Sequence, residues 1–169
     1  MVQLPSPLYA LLNQINQAAT GGLHLLAISM AVALPDICAS LISENGRTSP
    51  DRYKEWCRTN LGFTYLTSED LYSMRCGVLH NGRFGDMKHS VSRVIFIPPM
   101  GNGGTVQDCR SNDAYLFSVV EFCQTVTTAV YNWFEANRND PHVQANIDRL
   151  MQYRAGGLAP HVLGPTVIA

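Results

Sequence analysis

Residues 68–85 read SEDLYSMRCGVLHNGRFG. Both ends of this stretch are helix signals. Thr67 or Ser68 supplies a cap, and Glu69 and Asp70 fall in the first turn, where the helix dipole favours carboxylates. Leu71, Met74, Val78 and Leu79 form an apolar stripe, His80 falls in the last turn, and Gly82 stands just beyond it as a terminator. Between those ends lie Arg75 and Gly77. A helical glycine costs about 1 kcal/mol against alanine, so it asks for a close neighbour. That neighbour is either another backbone or ligand, or a helix of the same bundle. Arg75 and His80, five positions apart, lie about 140° apart round an ideal helix and do not share a face by spacing alone. Contact between them needs a long, leaning arginine side chain, fraying near His80, or a second copy of the helix opposite.

On the N-terminal side, Ser49-Pro50 caps DRYKEWCRTNL (51–61), an amphipathic helix with Tyr53, Trp56 and Cys57 on one face and Gly62 at its end. Residues 23–43 predict an apolar core helix closed by Asn45-Gly46, which Pro35 kinks or divides. Its run LLAISMAVALP (25–35) is too short for a membrane span. Asp36 sits there in an apolar surround and is costly to bury unpaired. It caps the helical segment that resumes after Pro35, the commoner role, or it orients Arg75 or the arginine of a second copy. Ser6-Pro7 opens a first helix carrying Leu8, Leu11, Leu12 and Ile15, stopped by Gly21-Gly22.

On the C-terminal side, VSRVIFI (91–97) is β-branched, is bounded by Pro98-Pro99, and predicts a strand. PPMGNGGT predicts a loop, and DAYLFSVV (113–120) a second strand pairing with the first as a hairpin. A helix of roughly residues 120–138 follows, with Phe122, Val126, Ala129, Val130, Trp133 and Phe134 inward. Asp140-Pro141 starts a shorter one running to about Tyr153. Residues 155–169 form an apolar tail, broken by glycine and proline, that packs on the body or on a partner chain. The expected fold is mostly α: one domain over residues 1–169, an antiparallel helical bundle with a small inserted β-hairpin.

Composition narrows the function. A chain of 169 residues, 46% hydrophobic and 15% charged, buries enough surface to order itself and leaves few charges to cover a monomer. Self-association resolves that shortage. A net charge of −1 does not match a general nucleic-acid coat protein, so any such role rests on a local patch. RFGDMKHSVSR (83–93) holds Arg83, Lys88, His89 and Arg93 against Asp86, a composition suited to phosphate contacts. The five cysteines are odd in number, widely spaced and without a CxxC pair, as in reduced, cytoplasmic proteins. MVQLPSPLYALLNQI lacks the basic region and apolar run of a signal peptide. The five histidines form no HExxH or close ligand set, so no metal site is expected. GNGG (101–104) lacks the lysine and helix of a phosphate loop.

The string Arg75-Cys76-Gly77-Val78-Leu79-His80-Asn81-Gly82, preceded by Leu71 and Tyr72, resembles the R-x4-H signature of HEPN domains. The resemblance implies a metal-independent endoribonuclease without cofactors, working as a homodimer whose two motifs line one cleft. It also implies a toxin-like setting in bacterial defence, with an antitoxin or other protein as a further partner. By it, Arg75 and His80 are the catalytic pair, and Asn81, Cys76, Tyr72 and Asp36 support them. Arg83, Lys88 and Arg93 contact RNA. The family often has asparagine, aspartate or histidine where this chain has Cys76. Some HEPN domains bind a nucleotide or a protein partner without cleaving, which is the alternative reading.

The chemistry suits these residue types. Histidine, with a typical pKa of about 6.5, takes a proton from a ribose 2′-OH and later returns one. Arginine stays charged, holds two phosphate oxygens in its fork and stabilises the charge that develops in the transition state. Asn81 donates a hydrogen bond to phosphate or orients the imidazole. The expected product is a 2′,3′-cyclic phosphate.

Overall fold

The computed structural model describes residues 6–86, 92–100, 106 and 108–169. It is mostly α. Helices run over Ser6–Thr20 (α1), His24–Leu41 (α2), Pro50–Asn60 (α3), Ser68–Asn81 (α4), Val119–Asn137 (α5) and Pro141–Ile147 (α6). Local chemistry sets several of their ends. Ser49 accepts a hydrogen bond from the Arg52 backbone ahead of Pro50. Thr67 and Asp70 form a reciprocal capping box at the start of α4, and Gly82, at φ 64°, ends it in the left-handed conformation. Asp140 accepts from the His142 and Val143 backbones ahead of α6.

The most apolar helix, α2, touches α1, α3, α4, α5 and α6. It runs unbroken through the buried Pro35. Asp36 is therefore inside a helix and does not cap one, which corrects the cap reading. It is the one described helix long and apolar enough to cross a bilayer, and half of that stretch is buried inside the protein. Leu34, Tyr53, Met74, Phe122, Val126 and Val130 are fully or almost fully buried around it. The Tyr53 hydroxyl donates to the Val32 and Leu71 carbonyls, at 2.9 and 3.3 Å, and so ties α3 to both α2 and α4.

The inserted region differs from the expected hairpin. Strands Arg93–Ile97 (β1), Cys109–Ser111 (β2) and Ala114–Ser118 (β3) form one sheet in the order β1-β3-β2. β1 pairs with β3 in parallel, with Arg93 opposite Ala114 and Ile97 opposite Ser118. The antiparallel hairpin is β2–β3, with Ser111 opposite Ala114. Its turn is Asn112-Asp113, with Asn112 at φ 53°, the positive φ that tight two-residue hairpin turns use. β3 is the central strand and mostly buried. Ser118 ends it and caps α5 at once. Phe96, Phe84, Phe117 and Phe122 join the sheet to α5, with ring centroids 4.9–5.7 Å apart.

The C-terminal region also departs from expectation. α6 stops at Ile147, and Tyr153–Leu158 (β4) pairs antiparallel with Val162–Ile168 (β5). A Cβ at Gly157 would lie 2.2 Å from the Val162 carbonyl oxygen, and its φ is 96°, so glycine is required there. Neither strand has a buried residue, so within one chain this is an exposed arm and is not packed on the body. Gln14 Nε2 donates to the Tyr153 hydroxyl at 3.3 Å and ties the arm to α1.

Candidate active site

Arg75 and His80 meet within one chain. Arg75 Nη1 lies 3.4 Å from His80 Nε2. The helix continues to Asn81, so fraying is not the reason. Helical side chains lean toward the N-terminus, which brings His80 back over the preceding turn and beside the long arginine. A guanidinium can only donate, so a hydrogen bond across this contact has Nε2 as its acceptor. His80 and Asn81 are exposed, whereas Arg75, Tyr72 and Cys76 are partly buried.

Asp36 holds the arginine from the other side. Its Oδ2 accepts from Arg75 Nε at 2.5 Å, with the two side chains 14% and 22% exposed. Of the two roles open for Asp36, orienting Arg75 is the one seen. Partial burial pulls the Arg75 pKa down, but the bond and charge of Asp36 more than offset it, so the net shift is upward. Nη1 also points to Cys76 Sγ at 3.9 Å. Among the described residues nothing is bonded to Nη2. The guanidinium is thus fixed along one edge and can still receive an anion on another.

Behind this pair stands Tyr72, whose pKa is pushed up by burial first and then by the neighbouring Cys76 thiol. Its ring meets Tyr53 edge to face at 5.4 Å. The thiol at Cys76 therefore belongs to the polar surround of Arg75.

Of the neighbours open to Gly77, close-packed backbone is the one seen. What approaches it is the chain's own return loop: a Cβ there would stand 2.4 Å from Gly85 N and 2.5 Å from the Arg83 carbonyl oxygen. Arg83 N–H donates to the Gly77 carbonyl at 3.2 Å. Gly85, at φ 76°, lies against the Ser73 carbonyl, and Ser73 Oγ donates to the Asp86 carbonyl at 3.0 Å. Ser73 and Gly85 were not singled out from sequence. The glycines spaced at 77, 82 and 85 were the available signal. This loop seats Phe84 on Phe96, at 5.2 Å between centroids, and leaves Arg83 exposed just after the helix that carries His80.

Arg93 opens β1 and is exposed, while Lys88 and His89 lie outside the described residues. Among the described residues, no group of three or more histidine, cysteine or acidic side chains is placed to hold a metal ion.

Replacing Asp36 with alanine strands a partly buried guanidinium. The variant is expected to lose about 1–3 kcal/mol of stability in urea denaturation. An unchanged midpoint would mean that the ion pair does not hold α4 to α2.

No family model, curated protein or solved structure matches this chain.

Proposed function

We propose that the protein is a metal-independent endoribonuclease of HEPN type, with Arg75 and His80 as its catalytic pair. The observation that carries this reading is the cluster itself. A guanidinium anchored by Asp36 lies 3.4 Å from Nε2 of an exposed imidazole. In the proposed reaction His80 takes the proton of the ribose 2′-OH. The 2′-oxygen attacks phosphorus, the bond to the 5′-oxygen breaks, and an imidazolium returns a proton to that leaving oxygen. Arg75 binds the phosphoryl oxygens as their charge grows. Asn81 and Arg83, exposed at the same helix end, bind flanking phosphate, and Lys88 and Arg93 extend the contact.

The antiparallel-bundle form and pairing of two copies, with their clusters facing one cleft, are part of the proposal. Exposed Leu23, Leu25 and Leu26 on α2, and Leu79 beside His80, at 44% exposure, support self-association. A cytoplasmic, toxin-like role with an antitoxin partner completes it. The test is incubation of purified protein with mixed RNA in excess chelator. Fragmentation is the expected result. Inertness would favour the second reading, a non-catalytic module that binds a nucleotide or a protein. The low charge of the chain and Cys76 in the motif favour that alternative.

A further inference from the structure

A second concave surface lies along the seam between α3 and α5. One depression of about 650 Å³ is lined by Trp56 and Trp133, and another of about 680 Å³ by Phe63 and Phe117. Asn60 and Asn132 line both, so the two form one elongated furrow. Its chemistry differs from that of the Arg75 cluster. Glu44, Glu55, Asp108 and Glu121 line it with the guanidinium of Arg52, and Glu55 is paired with Arg58 at 2.5 Å. Asp108 accepts from the Thr64 and Tyr115 hydroxyls, at 2.9 and 2.5 Å, which fixes its position without neutralising it.

The furrow also carries amide-binding groups. Asn60 and Asn137 donate Nδ2 to the carbonyls of Trp56 and Trp133, at 2.9 and 2.7 Å, which leaves each Oδ1 to accept. Trp56 is 5% exposed, and its buried Nε1 has no acceptor among the described residues. The furrow thus combines carboxamide acceptors, aromatic walls and carboxylates.

We propose that this furrow binds an extended polypeptide segment of a partner protein, with lysine or arginine set among apolar side chains. Peptide N–H groups meet the asparagine oxygens. Apolar side chains rest on the tryptophan and phenylalanine walls. The basic side chain lies toward the carboxylates, which also disfavour a phosphodiester backbone. The site is separate from the ribonuclease proposal and does not depend on it.

Both tryptophans of the chain line the furrow, so intrinsic emission reports on it directly. The probe is a library of twelve-residue peptides selected on the wild-type protein and counter-selected on Ala136→Arg. Ala136 is an exposed lining residue, so arginine there fills the furrow and lowers its negative charge. Selected peptides are expected to be basic and apolar, to shift tryptophan emission on titration, and to lose at least about tenfold in affinity to the variant. Thermal unfolding and RNA cleavage by the variant are expected to match wild type. A failure of the ribonuclease reading therefore shows separately, as absent cleavage in both proteins. Failure to enrich any peptide over the variant, enrichment of acidic peptides, or an emission shift with a twelve-nucleotide RNA instead would overturn the proposal.

Discussion

Replacing His80 with alanine is expected to lower RNA cleavage by about 10²–10⁴-fold, the usual contribution of a positioned general acid or base. Stability should be little changed, because the imidazole is exposed and approaches Arg75 only at 3.4 Å. Initial rates on a labelled oligonucleotide, read beside the urea midpoint, check both halves. Equal rates for variant and wild type would remove His80 from the mechanism. A lower rate with a collapsed midpoint would mark it as structural.

The second large effect concerns Gly77. Helix propensity alone predicts that alanine there stabilises the protein by about 1 kcal/mol. The return loop predicts the reverse. A new Cβ would meet Gly85 N at 2.4 Å and the Arg83 carbonyl at 2.5 Å, and both are backbone atoms that cannot rotate away. The loop has to lift, which breaks the Arg83–Gly77 and Ser73–Asp86 hydrogen bonds and unseats Phe84 from Phe96. Overpacking of this kind costs about 1–3 kcal/mol, so a net loss is expected in urea denaturation. The loop closes directly on the helix end bearing His80 and Asn81, so cleavage is expected to fall as well. A Gly77→Ala protein more stable than wild type would show that the loop does not rest on α4.

Much of this architecture is legible in local sequence, because helix ends are local chemistry. Ser49-Pro50, Thr67 with Asp70, Gly82 and Asp140-Pro141 all act within a turn of their own positions. The strand at 93–97 is legible for the same reason, but its partner is not. Parallel pairing with 114–118 is decided by the sheet as a whole, and the glycine-rich loop misdirects the reading toward a hairpin. The true hairpin turn, Asn112-Asp113, is a short signal inside an otherwise strand-like run. Pro35 reads as a kink or a division because local rules know only the lost hydrogen bond, and the helix is not divided there. Burial against several helices outweighs that cost.

In the site, residue types were legible and distances were not. Asp36 and Arg75 lie 39 residues apart and meet only because α2 and α4 pack together. Arg75 and His80 seem separated when counted as points on a wheel, yet leaning side chains bring them together in a single chain. Gly77 correctly signalled a close backbone, but whose backbone depended on a return loop set by Gly82 and Gly85.

The most direct measurement is the chemistry of the cut end. A defined 5′-labelled RNA is incubated in chelator with the wild-type protein, Arg75→Ala and His80→Ala, and the product termini are read by mass spectrometry. A 2′,3′-cyclic phosphate from wild type alone is the predicted result. Intact RNA, a 3′-hydroxyl product, or equal cleavage by all three proteins would contradict it.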